Sequence, residues 1–393
     1  MLTSCALILL SGLLLGTLFK KMHLPAIIGM IVAGIIISPN MLNLVDESLL
    51  EISAVIRQVA LVIILTRAGL TLDVSDLRKI GRPAILMCFV PACLEMLGTM
   101  LIVPVIFDVT ITEAALMGSV LAAVSPAVVV PRMINLIDQN KGTEKGVPQL
   151  ILAGASVDDV FVIVVFTALC GLCSSSSASL TSLIQVPISI ISGIVFGAVC
   201  GLLLSKVYKS VSMTTMTQFL LLICSSFLLL EAEELLTNVL PFSALLAIMS
   251  TALMIRYQSA DTAGLLKLKY NAAWTIAEIF LFVLVGINVD LRYALSAGPL
   301  AILLVIGAMV FRMAGVSLST LKTPLNQKER LFCMLAYTPK ATVQAAIGAI
   351  PMSMGLACGE LIMTVSVISI LMTAPFGAIC IDHFSDVLLN EKR

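Results

Sequence analysis

Asp158 and Asp159 stand side by side in an apolar stretch, Leu152–Leu169, long enough to cross a bilayer. A carboxylate at membrane depth costs a few to more than about 10 kcal/mol depending on the scale, so two adjacent ones are not explained by packing. They are suited to holding a cation, holding a proton, or exchanging one for the other. Three more ionisable residues fall near the middle of apolar runs: Glu95, Arg312 and Lys340. Glu95 and Arg312 are opposite in charge, and an interior ion pair is the arrangement that makes either one tolerable. Lys340 can neutralise the negative ends of interrupted helices or pair with Asp158; both partners are open to it. Neighbouring residues on a helix point about 100° apart, so the two aspartates need not share one duty. Glu278 also lies near mid-depth. Arg57 and Arg67 are near the ends of their run and can snorkel to the interfaces. His23, His383 and the Ser174–Ser177 turn receive no role.

These residues must be positioned by membrane helices. The chain is 60% hydrophobic and 12% charged, against about 25% charged in soluble domains, and its mean hydropathy is +1.12. Only helices satisfy their own backbone in lipid at this composition. The expected fold is therefore an all-α membrane protein with about 13 transmembrane helices. The expected spans are 2–19, 24–38, 51–72, 83–107, 113–136, 148–171, 181–205, 213–233, 240–256, 270–289, 297–320, 329–350 and 356–380. The first run has no basic segment before it and no small-residue cleavage site after it, so it is expected to be a retained span. Ten cysteines show no CxxC or Cys/His ligand spacing, so neither a metal site nor a disulfide framework is expected.

Charge alternation orients the spans. Loops after odd-numbered spans carry sixteen Lys and Arg residues, among them Lys20, Lys21, Arg132, Lys141, Lys145, Lys206 and Lys328; loops after even-numbered spans carry only Arg292. The positive-inside rule places the N-terminus outside and the C-terminus in the cytoplasm.

Landmarks recur at a nearly fixed interval. Leu24-Pro25 and Leu240-Pro241 are 216 apart, the runs ending at Asp73 and Asp290 are 217 apart, and Ser125-Pro126 and Thr338-Pro339 are 213 apart. The interval carries span n onto span n+7. Because seven is odd, the two halves enter the membrane from opposite sides, which is an inverted-topology repeat. Glu95 and Arg312 are separated by the same 217 residues. Proline at both mid-span sites removes a backbone donor and disfavours helix in the residue before it. Spans 5 and 12 are thus candidate broken helices, interrupted at Pro126 and at Thr338-Pro339.

Four segments resemble the monovalent cation:proton antiporter superfamily, and most of all its NHA-type sodium/proton antiporter branch. They are Ala155-Ser-Val-Asp158-Asp159, Arg67-Ala-Gly-Leu-Thr-Leu-Asp73, Ser125-Pro126-Ala-Val-Val-Val-Pro131 and Pro339-Lys340-Ala-Thr-Val-Gln344-Ala-Ala. The resemblance implies the sodium/proton antiporter fold, with two crossed broken helices. It also implies a single membrane domain over 1–393 with two parts. Spans 1–3 and 8–10 (about 2–72 and 213–289) would form a dimerisation scaffold, and spans 4–6 and 11–13 (about 83–171 and 297–380) an ion-transport core. It makes Asp159 the residue that binds cation and proton, Asp158 its partner, and Glu95, Arg312 and Lys340 charged positions of the core. Electrogenic paired-aspartate members carry a lysine in span 10 that pairs with the first aspartate. Span 10 here has no basic residue, so that role passes to Arg312 or is lost.

The reading is a Na+ (or Li+)/H+ antiporter working by alternating access, cation and proton competing for Asp159 and Asp158, with no cofactor, no covalent chemistry and no nucleic-acid partner. Its partners are the ions and the lipid bilayer. A homodimer in a bacterial-like inner membrane is expected. Hard cations take oxygen ligands, and Ser125 and Ser156 are auxiliary candidates. If Arg312 is committed to Glu95, it cannot serve Asp158, and an arginine does not deprotonate in any case; exchange is then expected to be electroneutral. The alternatives are a K+/H+ antiporter and a sodium-coupled symporter of an organic anion, which would need a larger polar cavity. A channel would repeat its acidic ring by symmetry. An intramembrane protease needs its aspartates on separate helices.

Overall fold

The computed structural model describes residues 1–22, 24–71, 81–174, 180–236, 242–289 and 291–389, with the side chains of 156, 160, 174–187, 234 and 291–297 outside that description. His23, Asp73, Leu240-Pro241, Asp290, the polar turn around 175–177 and the Ser156 side chain therefore lie outside the described residues.

The described elements are helical. In chain order they are α1 (Leu2–Lys21), α2 (Ala26–Ile37), α3 (Glu47–Glu51), α4 (Ser53–Thr71), α5 (Arg82–Ile106), α6 (Ile111–Leu121), α7 (Pro126–Asp138), α8 (Val147–Ser174) and α9 (Leu180–Ser210). They continue with α10 (Thr215–Leu236), α11 (Ala244–Gln258), α12 (Ala260–Ile287), α13 (Leu291–Ser319), α14 (Gln327–Ala336), α15 (Thr342–Ile347), α16 (Ile350–Ser353) and α17 (Gly359–Leu388). Among the described residues, ten segments are long and apolar enough to cross a membrane, counting α6 and α7 as one; α2 and α11 are shorter apolar helices. The remaining expected span, 329–350, is the interrupted stretch that holds α14 and α15.

Two compact units divide the chain, residues 1–51, 73–162 and 282–393 in one and 52–72 and 163–281 in the other. In the second unit, Gly193, Gly197 and Gly201 on α9 lie against α11. A Cβ on Gly197 would sit 2.2 Å from the Ala247 carbonyl, so the stripe of small residues sets how closely the helices approach. Thr251 ties the same pair by donating to the Gly197 carbonyl at 3.0 Å. The Arg67 guanidinium lies 5.5 Å from the centre of the Trp274 ring.

The first unit carries the residues of interest. Its longest contact runs between α5 and α13, where a Cβ on Gly98 would fall 2.5 Å from the Phe311 ring and one on Gly315 2.6 Å from Pro91. These two glycines bracket Glu95 and Arg312, so the same close approach that packs the helices brings the two charges together. Gly34 of α2 and Gly286 of α12 make the tightest backbone crossing in the unit. A Cβ on Gly34 would lie 2.0 Å from the Val283 carbonyl oxygen, and one on Gly286 2.2 Å from that of Ile31. Backbone cannot step aside as a flexible side chain can, and overpacking costs about 1–3 kcal/mol. Gly34→Ala and Gly286→Ala are accordingly expected to lower the melting temperature in detergent, and an unchanged temperature would show that the crossing can open.

Both broken helices are present. The first is helical to Leu121 and again from Pro126, with Ser125 as the N-cap of α7 and proline at its first position, where its missing N–H and fixed φ suit a helix start. The second is helical to Ala336 and again from Thr342. The two interruptions meet: the Ser125 N–H donates to the Pro339 carbonyl at 2.7 Å. Gly377 on α17 makes room for the Pro339 ring, since a Cβ there would lie 2.3 Å from it.

Candidate functional site: the charged cluster at the helix crossing

Each interruption leaves carbonyls at the C-terminal end of a half-helix without intrahelical partners, and these carry partial negative charge. Arg312 serves both ends. Its Nη1 donates to the Ala122 carbonyl beyond α6, and its Nε donates to the Tyr337 carbonyl beyond α14 at 2.6 Å. The same guanidinium lies 5.3 Å from the centre of the Tyr337 ring. It also holds two carboxylates, with Nη1 2.8 Å from Glu95 Oε2 and Nη2 2.9 Å from Asp158 Oδ2. The five-donor fork of arginine suits this work, because a lysine cannot reach four acceptors in fixed directions.

Lys340 completes the set. Its Nζ lies 2.6 Å from Glu95 Oε1 and donates to the Leu121 carbonyl. The charges thus alternate in a row: Lys340, Glu95, Arg312, Asp158. All four side chains are buried, none more than 1% exposed. Two cations face two anions, which is the condition for keeping such a group out of water. Asp158 Oδ2 accepts a further bond from the Val124 N–H at 2.8 Å, one of the donors freed by the first interruption. In the second interruption the corresponding donor, the Lys340 N–H, bonds to Thr373 Oγ1 on α17 at 2.9 Å.

Of the two partners open to Lys340 in the sequence, then, the structure gives the half-helix end together with Glu95, and Asp158 is held by Arg312. The expectation that Arg312, once committed to Glu95, cannot serve Asp158 is corrected: one guanidinium reaches both carboxylates through different nitrogens. Asp159, next along α8, is half-buried. Ser125 is fully buried, its Oγ 3.5 Å from Thr342 Oγ1. Pro126, Thr338 and Pro339 sit at the interruptions, and Thr338 Oγ1 caps its own half-helix by donating to the Leu335 carbonyl at 2.8 Å. Glu278 belongs to the second unit, one turn from Trp274. Gln344 is a member of the cluster to which sequence reasoning gave no duty. Its Nε2 donates to the carbonyls of Val120 at 3.1 Å and Ala123 at 3.0 Å. An amide in a run of small apolar residues is itself a signal, since a buried amide requires partners.

The family model described as sodium/hydrogen exchanger, transmembrane, matches residues 6–384. The chain belongs to the sodium/hydrogen exchanger family. Membership makes it a multi-pass membrane protein whose activity is cation/proton antiport, in a family of transporters rather than enzymes. This exchanger is 31% identical to sodium/hydrogen exchanger 9B2 of Xenopus tropicalis, over 98% of its own length and 74% of the relative's. It is 29% identical to human sodium/hydrogen exchanger 9B1, over 94% of its length and 73% of the relative's. Its fold matches that of the sodium proton antiporter MjNhaP1 from Methanocaldococcus jannaschii with a TM-score of 0.84 at 21% identity, covering 98% of this chain and 97% of the other. The all-helical antiporter fold implied by the resemblance is the one observed.

Proposed function

We propose that this exchanger moves Na+ (or Li+) against H+ by alternating access, with Asp159 as the carboxylate that takes cation or proton in turn. The names of its relatives support sodium as the cation. Asp158 is the fixed partner. Ser125 and Ser156 are auxiliary oxygen ligands, since a hard cation takes oxygen donors. The charge alternation of the loops supports an outside N-terminus and a cytoplasmic C-terminus in a cell (inner) membrane. The resemblance supports a homodimer, with the expected division into scaffold and transport core.

One observation carries the stoichiometry: Asp158 Oδ2 lies 2.9 Å from Arg312 Nη2. Arginine does not give up its proton in a protein, so this pairing does not turn over with the cycle as a lysine pairing can. The Arg312 guanidinium and the Val124 N–H both favour the ionised carboxylate at Asp158. One carboxylate, Asp159, exchanges one proton for one monovalent cation, and the exchange is electroneutral. In proteoliposomes, Na+-driven proton movement is expected to be indifferent to an imposed potential, with and without a potassium/valinomycin clamp. A rate or reversal point that follows the voltage would mean net charge movement and a second titrating group. Running the same assay with Na+, Li+ and K+ fixes the cation.

A further inference from the structure

The carbonyls of four consecutive residues at the end of α6 are covered by three side chains from the other half of the chain. Lys340 takes Leu121 and Arg312 takes Ala122. Gln344 takes the two on either side, Val120 at 3.1 Å and Ala123 at 3.0 Å, with Leu121 also 3.4 Å away. The orientation of its amide follows from this setting, because the reverse would point Oε1 at three carbonyl oxygens. Gln344 is 1% exposed, and its Oε1 has no hydrogen-bond partner among the described residues. The residue after this stretch is Val124, whose N–H is the backbone donor to Asp158.

We propose that Gln344 is a positioning residue for the exchange: by holding the peptides of residues 120–123, it aims the Val124 N–H at Asp158 and so fixes the carboxylate beside Asp159. The inference rests on the reading of Asp158 and Asp159 as the exchange site. The side-chain type fits the duty. A neutral donor can cap two carbonyls without disturbing the balance of Glu95 and Asp158 against Arg312 and Lys340. A third cation would upset that balance, and an apolar side chain would leave buried carbonyls unsatisfied. Residue 344 touches neither carboxylate, so its influence on them must pass through the backbone it holds.

The test uses the full-length protein with Gln344→Met, which keeps length and bulk but has no donor, and Gln344→Asn, which keeps the amide one methylene short. Initial rates of Na+-driven proton movement in proteoliposomes are measured against Na+ concentration. A hydrogen bond to a charged group is worth enough to shift an equilibrium about tenfold or more. Gln344→Met is therefore expected to raise the KM for Na+ about tenfold with Vmax held within about twofold, and Gln344→Asn to fall between it and the wild type. A loss of thermal stability with KM unchanged, or a fall in Vmax alone, would make Gln344 a helix cap and nothing more, and would overturn the proposal. If Gln344→Met does not fold, Gln344→Asn decides on the same criterion. A wild-type protein without Na+-driven proton movement would sink the exchange reading itself. Wild-type exchange with an unaltered KM in the variants sinks only the role of Gln344.

Discussion

Asp159→Asn is expected to reduce Na+-driven proton movement to the level of protein-free liposomes while leaving the protein folded. The asparagine has nearly the same shape, but it can neither carry the proton nor offer the full negative charge that holds a bare cation. Asp159 contributes none of the four charges in the buried row, so the row itself is expected to survive the substitution. Asp158→Asn should behave differently. It removes one of the two carboxylates on Arg312 and gives the Val124 N–H a neutral acceptor, so exchange and stability should fall together. The pair of variants separates carrier from clamp. Substantial exchange by a well-folded Asp159→Asn protein would rule out the assignment.

The largest loss of stability is expected at Arg312. Arg312→Met would leave Asp158 without its cation, leave Glu95 with Lys340 alone, and strip a donor from the carbonyls of Ala122 and Tyr337. Removing one partner of a buried pair typically costs about 3–5 kcal/mol, and here two carboxylates lose a partner at once. The order of charges in the row predicts which double substitution recovers. Glu95→Gln with Lys340→Met removes an outer pair and leaves Arg312 on Asp158, so the double variant should be more stable than the sum of the singles. Glu95→Gln with Arg312→Met takes the two inner charges and leaves Lys340 and Asp158 each without the partner it had, so little should be regained. Melting temperatures of the singles and both doubles complete the two cycles. Equal coupling in both would mean that the charges do not act as a row.

Much of this arrangement is legible in the sequence, for reasons that can be stated. Prolines at a fixed interval locate both interruptions, because a missing donor has the same effect on a helix wherever it stands. The equal spacing of Glu95 and Arg312 joins them across the repeat. What cannot be read is side-chain reach. Whether Arg312 serves one carboxylate or two depends on how closely Gly98 and Gly315 let α5 and α13 approach. Whether Lys340 takes Glu95 or Asp158 depends on the course of an extended segment with no period of its own. Gln344 escapes notice because it bears no charge, and a scan for ionisable residues passes over it.

The two amides freed at the interruptions are anchored by different chemistry. Val124 N–H is held by an aspartate, Asp158, and Lys340 N–H by a threonine, Thr373, and both the donors and the acceptors stand about one repeat length apart. Each acceptor anchors a freed peptide, one through a carboxylate and the other through a hydroxyl. The negative charge stands at the first interruption, where Arg312 lies within reach. One interruption is thus anchored by a neutral group, and the other by a charge that the Arg312 guanidinium balances.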